Sequence, residues 1–502
     1  MSRAVDPTSP VLVGAGQVAR RPDDAAPVEA AVLMADAVRA AVADADPVGG
    51  PDALLCAVDA VWVPGGTWGY ADAARLVADR LGMAGVATAR FDVGMTQQAM
   101  LTAAALAVAE GRREVVVVVG GEARLHARAS GVGDAVPETG QPDGTAPDEV
   151  VAPADLGVHD LEIERDIVTP TTGYALVEHA VGHAAGEEPG RHRLGVGALW
   201  ARFAEVAAAN PYAWDRGAPT TAEILAVGPD NRPIADPYPK RLCSQWNVDQ
   251  AAAVILCSAA TAQRLGVARE RWVFPHASTV ADHAVPLLQR AELHRCLGAE
   301  LAGPRCVELA GATVDALGPV DLYSCFPAAV QLYAGALGLP LDDPARPLTT
   351  TGGMTFAGGP LNSYVLHALA AMVPQLRGEP SRLGLSTSVS VVVTKQGFGL
   401  WGASPPTGGF RHEDCTRAVA VAAAPEVRPV DAGFAGVGTV ASWTVTYDGL
   451  EPARAVAIVD TPDGARTIAE SRDRELASVM AGDRDDWIGC TVEVDDGALH
   501  LP

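Results

Sequence analysis

Two glycine-rich loops are the first places in this sequence where chemistry is expected. The stretch Phe91–Glu122 reads as a strand, a tight loop at Gly94-Met95, a helix and a second strand. Thr96 can cap the helix, so the loop lies at a helix N-terminus, where backbone N–H groups and the helix dipole favour developing negative charge. The second loop, Thr351–Gly359, can also bring backbone N–H groups close to a bound group, because glycine has no side chain to keep a ligand away.

The cysteines indicate neither a zinc knuckle nor a disulfide framework, because no CxxC pair occurs. The eight cysteines lie scattered at Cys56, Cys243, Cys257, Cys296, Cys306, Cys325, Cys415 and Cys490. Most of them are expected to be reduced residues of the core, since free cysteine is often buried.

Two other patterns have a chemical interpretation and a plainer one. Gly14 and Gly16 follow a strand as in a dinucleotide fingerprint, but Arg20–Asp24 interrupts any helix that would have to start there. His179 and His183 have the i, i+4 spacing of metal ligands, but no carboxylate base is placed as in HExxH. We therefore expect a first strand with its exit loop, a helix face with two ordinary histidines, and no metal site.

Composition and charge limit the function classes. The chain has 502 residues, a formal net charge of −24 and 49% hydrophobic residues, which fits an α/β enzyme scaffold of several domains. So acidic a chain is not expected to bind nucleic acid, whose affinity comes largely from phosphate contacts. No apolar run reaches the ~20 residues of a membrane span. The N-terminus shows no signal-peptide core, so we expect a cytoplasmic protein.

The order of predicted elements indicates two α/β passes, an insertion and an added module. Through Val119 the pattern is β-α-β-α-β-α-β, which predicts a parallel sheet layered with helices. The predicted parts are a first half at 1–123, an inserted loop domain at 124–245, the end of the first half at 246–268, a second half at 269–405, a linker at 406–428 and a small β-barrel of the OB kind at 429–502. The second pass looks like an internal duplication of the first.

Several loop sequences, taken in order and spacing, resemble those of one enzyme family. Phe91–Ala99 stands where that family has an Asn-x-x-Cys loop, and Asp249–Ala253 resembles its Asp-Gly-Ala-Ala segment. Leu322–Phe326 resembles its His-Asp-Cys-Phe loop. Gly352–Leu361 resembles its Gly-Gly and Gly-His-Pro-Leu loop, and Gly397–Gly399 resembles its last glycine loop. The family is the thiolase superfamily, and the closest likeness is to sterol-carrier-linked, acetyl-CoA acetyltransferase-like proteins with an additional C-terminal domain. The resemblance covers about residues 10 to 405 and implies a duplicated, layered α-β-α-β-α fold.

The resemblance also implies a chemistry and shows which parts of it are missing. In the family a cysteine thiolate accepts the acyl group, a histidine lowers its pKa, and a second cysteine moves the α-proton of the incoming acyl-CoA. Laid onto this chain, the nucleophile falls on Gly94, the Gly-His-Pro histidine on Gly359 and the other loop histidine on Tyr323. With all three missing together, ordinary thiolase activity is not expected.

Cys325 is the one matching cysteine and the candidate catalytic residue. It could act as a lone acid/base or as the attacking thiol of an altered acyl transfer, or it could be a buried core cysteine. The candidate substrate-binding residues implied by the same loops are Gly94, Met95, Tyr323, Ser324, Gly358 and Gly359. Tyr323 could donate a hydrogen bond to an oxyanion where the family has histidine. No cofactor is expected, and a CoA thioester is the expected ligand.

Two functions fit these observations. The first is a thiolase-fold protein of lipid metabolism that binds acyl-CoA or CoA and performs altered acyl transfer or none. The second is a non-catalytic partner whose C-terminal barrel recruits an acyl-CoA enzyme or carrier, since thiolase-like chains elsewhere cooperate with OB-fold proteins as separate subunits. Nucleic-acid binding by the barrel is disfavoured by its acidity and its few aromatic residues. The family implies a dimer, but an added domain can block that interface, so the oligomeric state stays open.

Overall fold

The computed structural model describes residues 5–21, 27–125, 138–482 and 486–501. Parts of the predicted insertion (126–137) and of the predicted break after the first strand (22–26) lie outside the described residues. The strands are β1 Pro10–Ala19, β2 Ala60–Pro64, β3 Ala87–Phe91, β4 Val115–Ala123, β5 Glu149–Val151, β6 Pro233–Ala235, β7 Tyr238–Pro239, β8 Asp249–Ser258, β9 Phe274–Asp282, β10 Leu317–Asp321, β11 Leu383–Ser390, β12 Lys395–Gly402, β13 Arg411–Asp414, β14 Gly436–Asp448, β15 Glu451–Asp460, β16 Arg466–Ser471, β17 Thr491–Asp495 and β18 Ala498–His500. The helices are α1 Ala30–Ala45, α2 Pro51–Ala57, α3 Ala73–Arg80, α4 Gln97–Ala109, α5 Asp160–Glu164, α6 Pro170–Ala184, α7 Pro189–Ala209, α8 Thr221–Leu225, α9 Ala259–Arg264, α10 Leu297–Leu309, α11 Pro327–Leu337, α12 Gly353–Phe356, α13 Tyr364–Gly378, α14 Thr416–Ala423 and α15 Arg474–Met480.

A six-stranded sheet forms the first half, in the order β1-β8-β4-β2-β3-β5. β2 pairs in parallel with β3 and with β4, as the sequence predicts. The four strands predicted through Val119, β1 to β4, all run in the same direction, and the later strand β8 lies antiparallel between β1 and β4. Nine of the ten residues of β8 are buried, which accounts for its place in the interior of the sheet. A strand that is apolar on both faces fits the centre of a sheet, where it separates the two strands it pairs with.

The second half repeats the arrangement of the first. Its five-stranded sheet has the order β10-β11-β12-β9-β13. β12 is antiparallel to both β9 and β11, and β11 is parallel to β10. Read along the sheet, β9-β12-β11-β10 has the same pattern of directions as β1-β8-β4-β2. The matching topology confirms the duplicated fold.

Two helices lie between the sheets and carry the candidate site. α4 contacts strands of both sheets, and so does α13, while α1 and α10 cover the outer faces of the first and second sheet. The result is five layers, α-β-α-β-α. Both central helices are buried on most sides, as expected for helices without a polar face. The loop at Gly94 leads directly into α4, so the fold places that loop at the end of the central layer.

The glycines of the dinucleotide-like pattern have a packing role. Both lie inside β1 and not in a loop that opens a helix. A Cβ on Gly14 would lie 2.1 Å from Ala41 O, and one on Gly16 would lie 2.3 Å from Ala41 N. The missing side chains therefore let α1 pack closely on the strand.

A closed five-stranded β-barrel ends the chain, in the strand order β14-β15-β16-β18-β17, with β14 pairing with both β15 and β17. The sequence predicts four of these strands, at Val437–Tyr447, Arg454–Asp460, Gly464–Ala469 and Cys490–Val494, and a short helix around Arg474–Ala481, which is α15. It does not predict β18, which has only three residues. β6 of the insertion pairs with β14 through Ala235 and Thr446, so the insertion extends a barrel strand.

The stretch predicted as a linker at 406–428 is ordered against the second half. β13 pairs in parallel with β9, and α14 follows it with Val419 and Ala423 buried. These buried side chains explain why the segment packs as part of the sheet layer. Among the described residues, no helix has both the length and the apolar character needed to cross a bilayer.

Candidate functional site

The loop at Gly94 joins β3 to the N-terminus of α4. Thr96 caps the helix as predicted, since its hydroxyl accepts a hydrogen bond from Ala99 N at 3.4 Å. Gly94 is buried with a φ of +108°, and a Cβ built there would lie 2.6 Å from Leu156 and 2.8 Å from Pro153. A side chain at this position is strained even if its neighbours move, because residues other than glycine rarely adopt that φ.

The second glycine loop is packed against the segment Cys243–Gln245, which comes from the end of the insertion. Gly359 N donates a hydrogen bond to Gln245 O at 2.8 Å. A Cβ on Gly359 would lie 2.3 Å from Ser244 Oγ, and Gly358 has a φ of +102°. The space beside Gly359, where the resemblance places a histidine, is thus taken by Ser244.

Cys325 lies just before α11, and its carbonyl accepts a hydrogen bond from Ser244 N at 3.1 Å. The residue is partly exposed, but its thiol contacts the buried hydroxyl of Tyr174. Burial raises the pKa of the Cys325 thiol to about 12. The thiol is therefore protonated near neutral pH, and in this conformation it is a poor nucleophile.

Tyr323 meets two amide side chains that the sequence analysis missed. Its ring packs edge-on against Tyr364, with ring centroids 5.6 Å apart, and burial raises the pKa of its phenol above the usual value. The Gln97 amide contacts Tyr323, and Gln97 Nε2 donates to Asn362 Oδ1 at 2.8 Å. Gln97 Oε1 is buried without a partner among the described residues. No sequence signal connects Gln97 with Asn362, because they lie 265 positions apart.

Ser324 belongs to a buried hydrogen-bond network. Met354 N donates to Ser324 Oγ at 3.1 Å, and Tyr364 Oη lies 3.5 Å from the same oxygen. Tyr364 Oη also lies 2.7 Å from Thr351 Oγ1, and neighbouring threonine hydroxyls continue the network to Asp321. Burial raises the pKa of Asp321 to about 6 in spite of these donors. The network holds the glycine loop against α13 and leaves the hydroxyl of Ser324 already engaged.

A cleft where the insertion meets the barrel holds the two histidines of the metal-like pattern. His179 Nε2 lies 3.0 Å from Asp236 Oδ1, and its ring stacks on Trp443 with centroids 4.0 Å apart. His183 Nδ1 lies 2.6 Å from Asp486 Oδ2. The two side chains thus have different carboxylate partners. The described ranges contain no group of three His, Cys, Asp or Glu side chains arranged around a common point for a metal ion.

The same cleft holds a buried ion pair. The fully buried Glu178 places Oε1 2.6 Å from His192 Nε2, and it accepts hydrogen bonds from Tyr238 and Gln331, each at 2.6 Å. Burial disfavours the charged imidazole, but the hydrogen bonds and the attraction of Glu178 and Glu187 outweigh it and raise the pKa of His192 to about 9. At neutral pH this histidine is charged.

The described groups around the α4 N-terminus can bind a polar group but do not form an acyl-transfer set. Gly94 offers no nucleophile, the Cys325 thiol is protonated, and Tyr323 is a neutral phenol. Acyl transfer through a covalent intermediate needs a nucleophile with a base within hydrogen-bond reach. What remains is a helix N-terminus with an amide side chain beside it.

Comparison with known protein families identifies the C-terminal domain of the chain. Residues 419–498 match the family described as the thiolase-like protein type 1 additional C-terminal domain. A comparison with curated proteins gave no match.

A solved structure with the same fold covers 99% of this chain, and two others cover 79% of it. A monomeric SCP2-thiolase-like protein type 1 from Mycobacterium smegmatis is 27% identical with a TM-score of 0.84, over 99% of this chain and 100% of that chain. The dimeric peroxisomal thiolase of Saccharomyces cerevisiae is 13% identical with a TM-score of 0.58, over 79% of this chain and 98% of that chain. A human mitochondrial 3-ketoacyl-CoA thiolase is 15% identical with a TM-score of 0.56, over 79% of this chain and 99% of that chain. The last two show the fold alone. The chain therefore has a thiolase-like fold, with a C-terminal part that matches the additional C-terminal domain of thiolase-like protein type 1.

Proposed function

We propose that this chain binds a CoA thioester on its thiolase fold and catalyses neither thiolysis nor Claisen condensation. The observation that carries the proposal is the backbone at Gly94, whose φ of +108° at the start of α4 disfavours any side chain, a cysteine included. The protonated thiol of Cys325 supports the same conclusion. A role in lipid metabolism follows from the class of ligand.

The α4 N-terminus is the part of the site that supports binding. The helix dipole and the free N–H groups there favour the partly negative carbonyl oxygen of a thioester. Gln97 Oε1 is buried without a partner among the described residues, and once a ligand displaces the side chains that cover it, it can accept a hydrogen bond from an amide N–H group of the pantetheine arm of CoA. Val93 is 56% exposed and Leu156 is 46% exposed, so apolar surface lies beside this corner. Met95, Tyr323 and the Gly358-Gly359 loop complete the proposed binding site.

The experiment is a calorimetric titration with acetyl-CoA, a long-chain acyl-CoA and a steroid acyl-CoA, with the thioester bond followed by its absorbance. We expect binding without thioester loss. Gln97→Leu should weaken binding by about tenfold, because leucine is similar in size to glutamine but cannot accept the hydrogen bond. Gln375→Leu is the matched control, because Gln375 is an exposed residue of the other central helix. Absence of binding by every acyl-CoA, or steady thioester loss, would overturn the proposal.

A second function is favoured by the way the barrel is attached. Its strand order is that of OB barrels, and we assign it to that type. Ser442 Oγ donates to Leu176 O at 2.6 Å, and Thr444 Oγ1 donates to Asp236 O at 2.8 Å, so buried barrel residues are hydrogen-bonded to the insertion. A barrel held in this way can present its outer face to an acyl-CoA enzyme or carrier. Turnover by the isolated chain without any co-purifying partner would contradict this role.

A further inference from the structure

A short segment of the chain crosses the loop at Gly94. We call residues 152–157, which follow β5, the strap. The atoms of the strap nearest to a Cβ built on Gly94 are Leu156 Cδ2 at 2.6 Å and Pro153 Cγ at 2.8 Å. Gly94 is buried, whereas Leu156 is 46% exposed. The strap therefore lies between Gly94 and the solvent, and Leu156 takes the space that a side chain on Gly94 would need.

Both ends of the strap are held in place. Before it, β5 pairs in parallel with β3, and Asp92 N donates to Val151 O at 2.9 Å. At its other end, Gly157 is buried with a φ of +66°. A Cβ on Gly157 would lie 3.1 Å from Ala284 and 3.1 Å from Thr394, so this end packs closely on the second half of the fold.

The middle of the strap is held by side-chain packing. Four of its first five residues are exposed. Gly157 N donates to Asp155 Oδ1 at 2.7 Å, which is a bond within the strap. Among the described residues, no hydrogen bond joins residues 152–156 to the rest of the chain. Segments that are exposed and poor in hydrogen bonds open locally at a low cost in free energy, so the strap can open while its ends stay in place.

The loop beneath the strap leads into α4. The first N–H groups of a helix have no partner within the helix and favour a partly negative oxygen. We propose that the strap is a lid over the Gly94 loop, with Leu156 as its plug, and that a ligand brings its carbonyl oxygen to the α4 N-terminus by displacing Leu156. The lid follows from the packing at Gly94, whereas the identity of the ligand, a CoA thioester, rests on the proposed function.

Hydrogen exchange followed by mass spectrometry tests the lid without any ligand. Leu156→Ala removes the plug and leaves both ends of the strap in place. Peptides that span residues 93–99 should exchange about fivefold faster than in the wild type, because the closed form loses the packing of a half-buried leucine. Leu194→Ala is the matched control, since Leu194 is 60% exposed on α7, and it should leave this exchange unchanged.

Further measurements on the full chain separate opening of the lid from general unfolding. Val115–Val119 are all 0% exposed and should exchange as in the wild type in both variants. Pro153→Gly removes the other side chain that contacts the Gly94 position and should also speed the exchange of residues 93–99. Unchanged exchange of residues 93–99 in Leu156→Ala, or an equal rise at Val115–Val119, would overturn the lid.

Calorimetric titration with acetyl-CoA tests the plug. Leu156→Ala should bind acetyl-CoA about fivefold more tightly than the wild type, because less free energy is needed to reach the open form. Wild-type binding that Leu156→Ala leaves unchanged or weakens would overturn the role of Leu156. Absence of binding by both proteins would instead contradict the proposed CoA site, and the exchange rates would still decide whether the strap is a lid.

Discussion

The glycine loops and the barrel junction differ in what holds them in place. At the glycine loops the described contacts are backbone hydrogen bonds, close packing and neutral side chains such as Gln97 and Asn362, with the single buried carboxyl group of Asp321 at the end of the threonine network. At the junction the contacts are ionic, with Glu178 and His192 buried as a pair and Asp236 bound to His179 and Arg193. Enzymes usually collect perturbed titratable groups at the catalytic site. Here ion pairs secure the added barrel, whereas the loops at the family's catalytic position are held mainly by neutral contacts, with Asp321 bonded to threonine groups and not, among the described residues, to a cation.

The largest expected effect comes from removing the central carboxylate of the junction. Glu178→Ala leaves the charged His192 and the hydroxyl of Tyr238 without a buried partner. We expect a loss of about 3–5 kcal/mol in the free energy of unfolding, measured by urea denaturation. Glu187→Ala is the matched control, since this partner of the same histidine is 41% exposed, and it should cost less than about 1 kcal/mol. Equal losses in the two variants would remove the contrast between junction and loops.

The junction should also make stability depend on pH. The pKa of His192 is about 9 in the folded chain and about 6.5 when unfolded. The charged form is favoured by folding, so its contribution is fully present below about pH 6.5 and is lost as the pH rises through about 9, with a total of about 3 kcal/mol. Urea midpoints between pH 6 and pH 9 measure this loss. In His192→Gln the slope of the urea midpoint over this pH range should disappear. Parallel plots of urea midpoint against pH for the two proteins would contradict the raised pKa of His192.

A smaller effect is expected at the glycine loops. Gly94→Cys puts the family's nucleophile back but forces a side chain into a φ of +108°. We expect a loss of about 1–3 kcal/mol in stability and no thiolysis activity. Gly335→Cys, at an exposed helical position with no atom within 4 Å of the new Cβ, should change stability by less than about 0.5 kcal/mol. Measurable acetoacetyl-CoA thiolysis by Gly94→Cys would show that the site is intact apart from its nucleophile.

The smallest effect concerns a single neutral contact of the barrel. Ser442→Ala removes the buried hydrogen bond to Leu176 O and should lower the thermal stability by about 1 kcal/mol. Ser478→Ala removes an exposed hydroxyl on α15 and should have almost no effect. A loss as large as that of Glu178→Ala would mean that neutral contacts secure the barrel as strongly as charge does.

The elements of the fold could be predicted where a local pattern determines them. Val115–Val119 are all 0% exposed, as expected of five consecutive valines in a covered strand. The cap at Thr96 and the strands of the barrel follow from short, recognisable patterns. The antiparallel position of β8 could not be predicted, because strand direction depends on a partner more than a hundred residues away.

The site was less predictable than the fold. The absence of a nucleophile could be seen at Gly94, but the Gln97–Asn362 pair and the contact between Tyr174 and Cys325 depend on distant parts of the chain. Whether Cys325 is reactive depends on burial, which no spacing rule gives. Its role, and those of the other proposed binding residues, stay predictions.

The most direct test of the account is calorimetry with acetyl-CoA and a long-chain or steroid acyl-CoA on the wild type and on Cys325→Ala, with the thioester followed in the same samples. The account predicts that both proteins bind and that neither consumes the thioester. Slow thioester loss by the wild type that disappears in Cys325→Ala would reveal an enzyme built on that thiol. Absence of binding in both proteins would contradict the proposed CoA site.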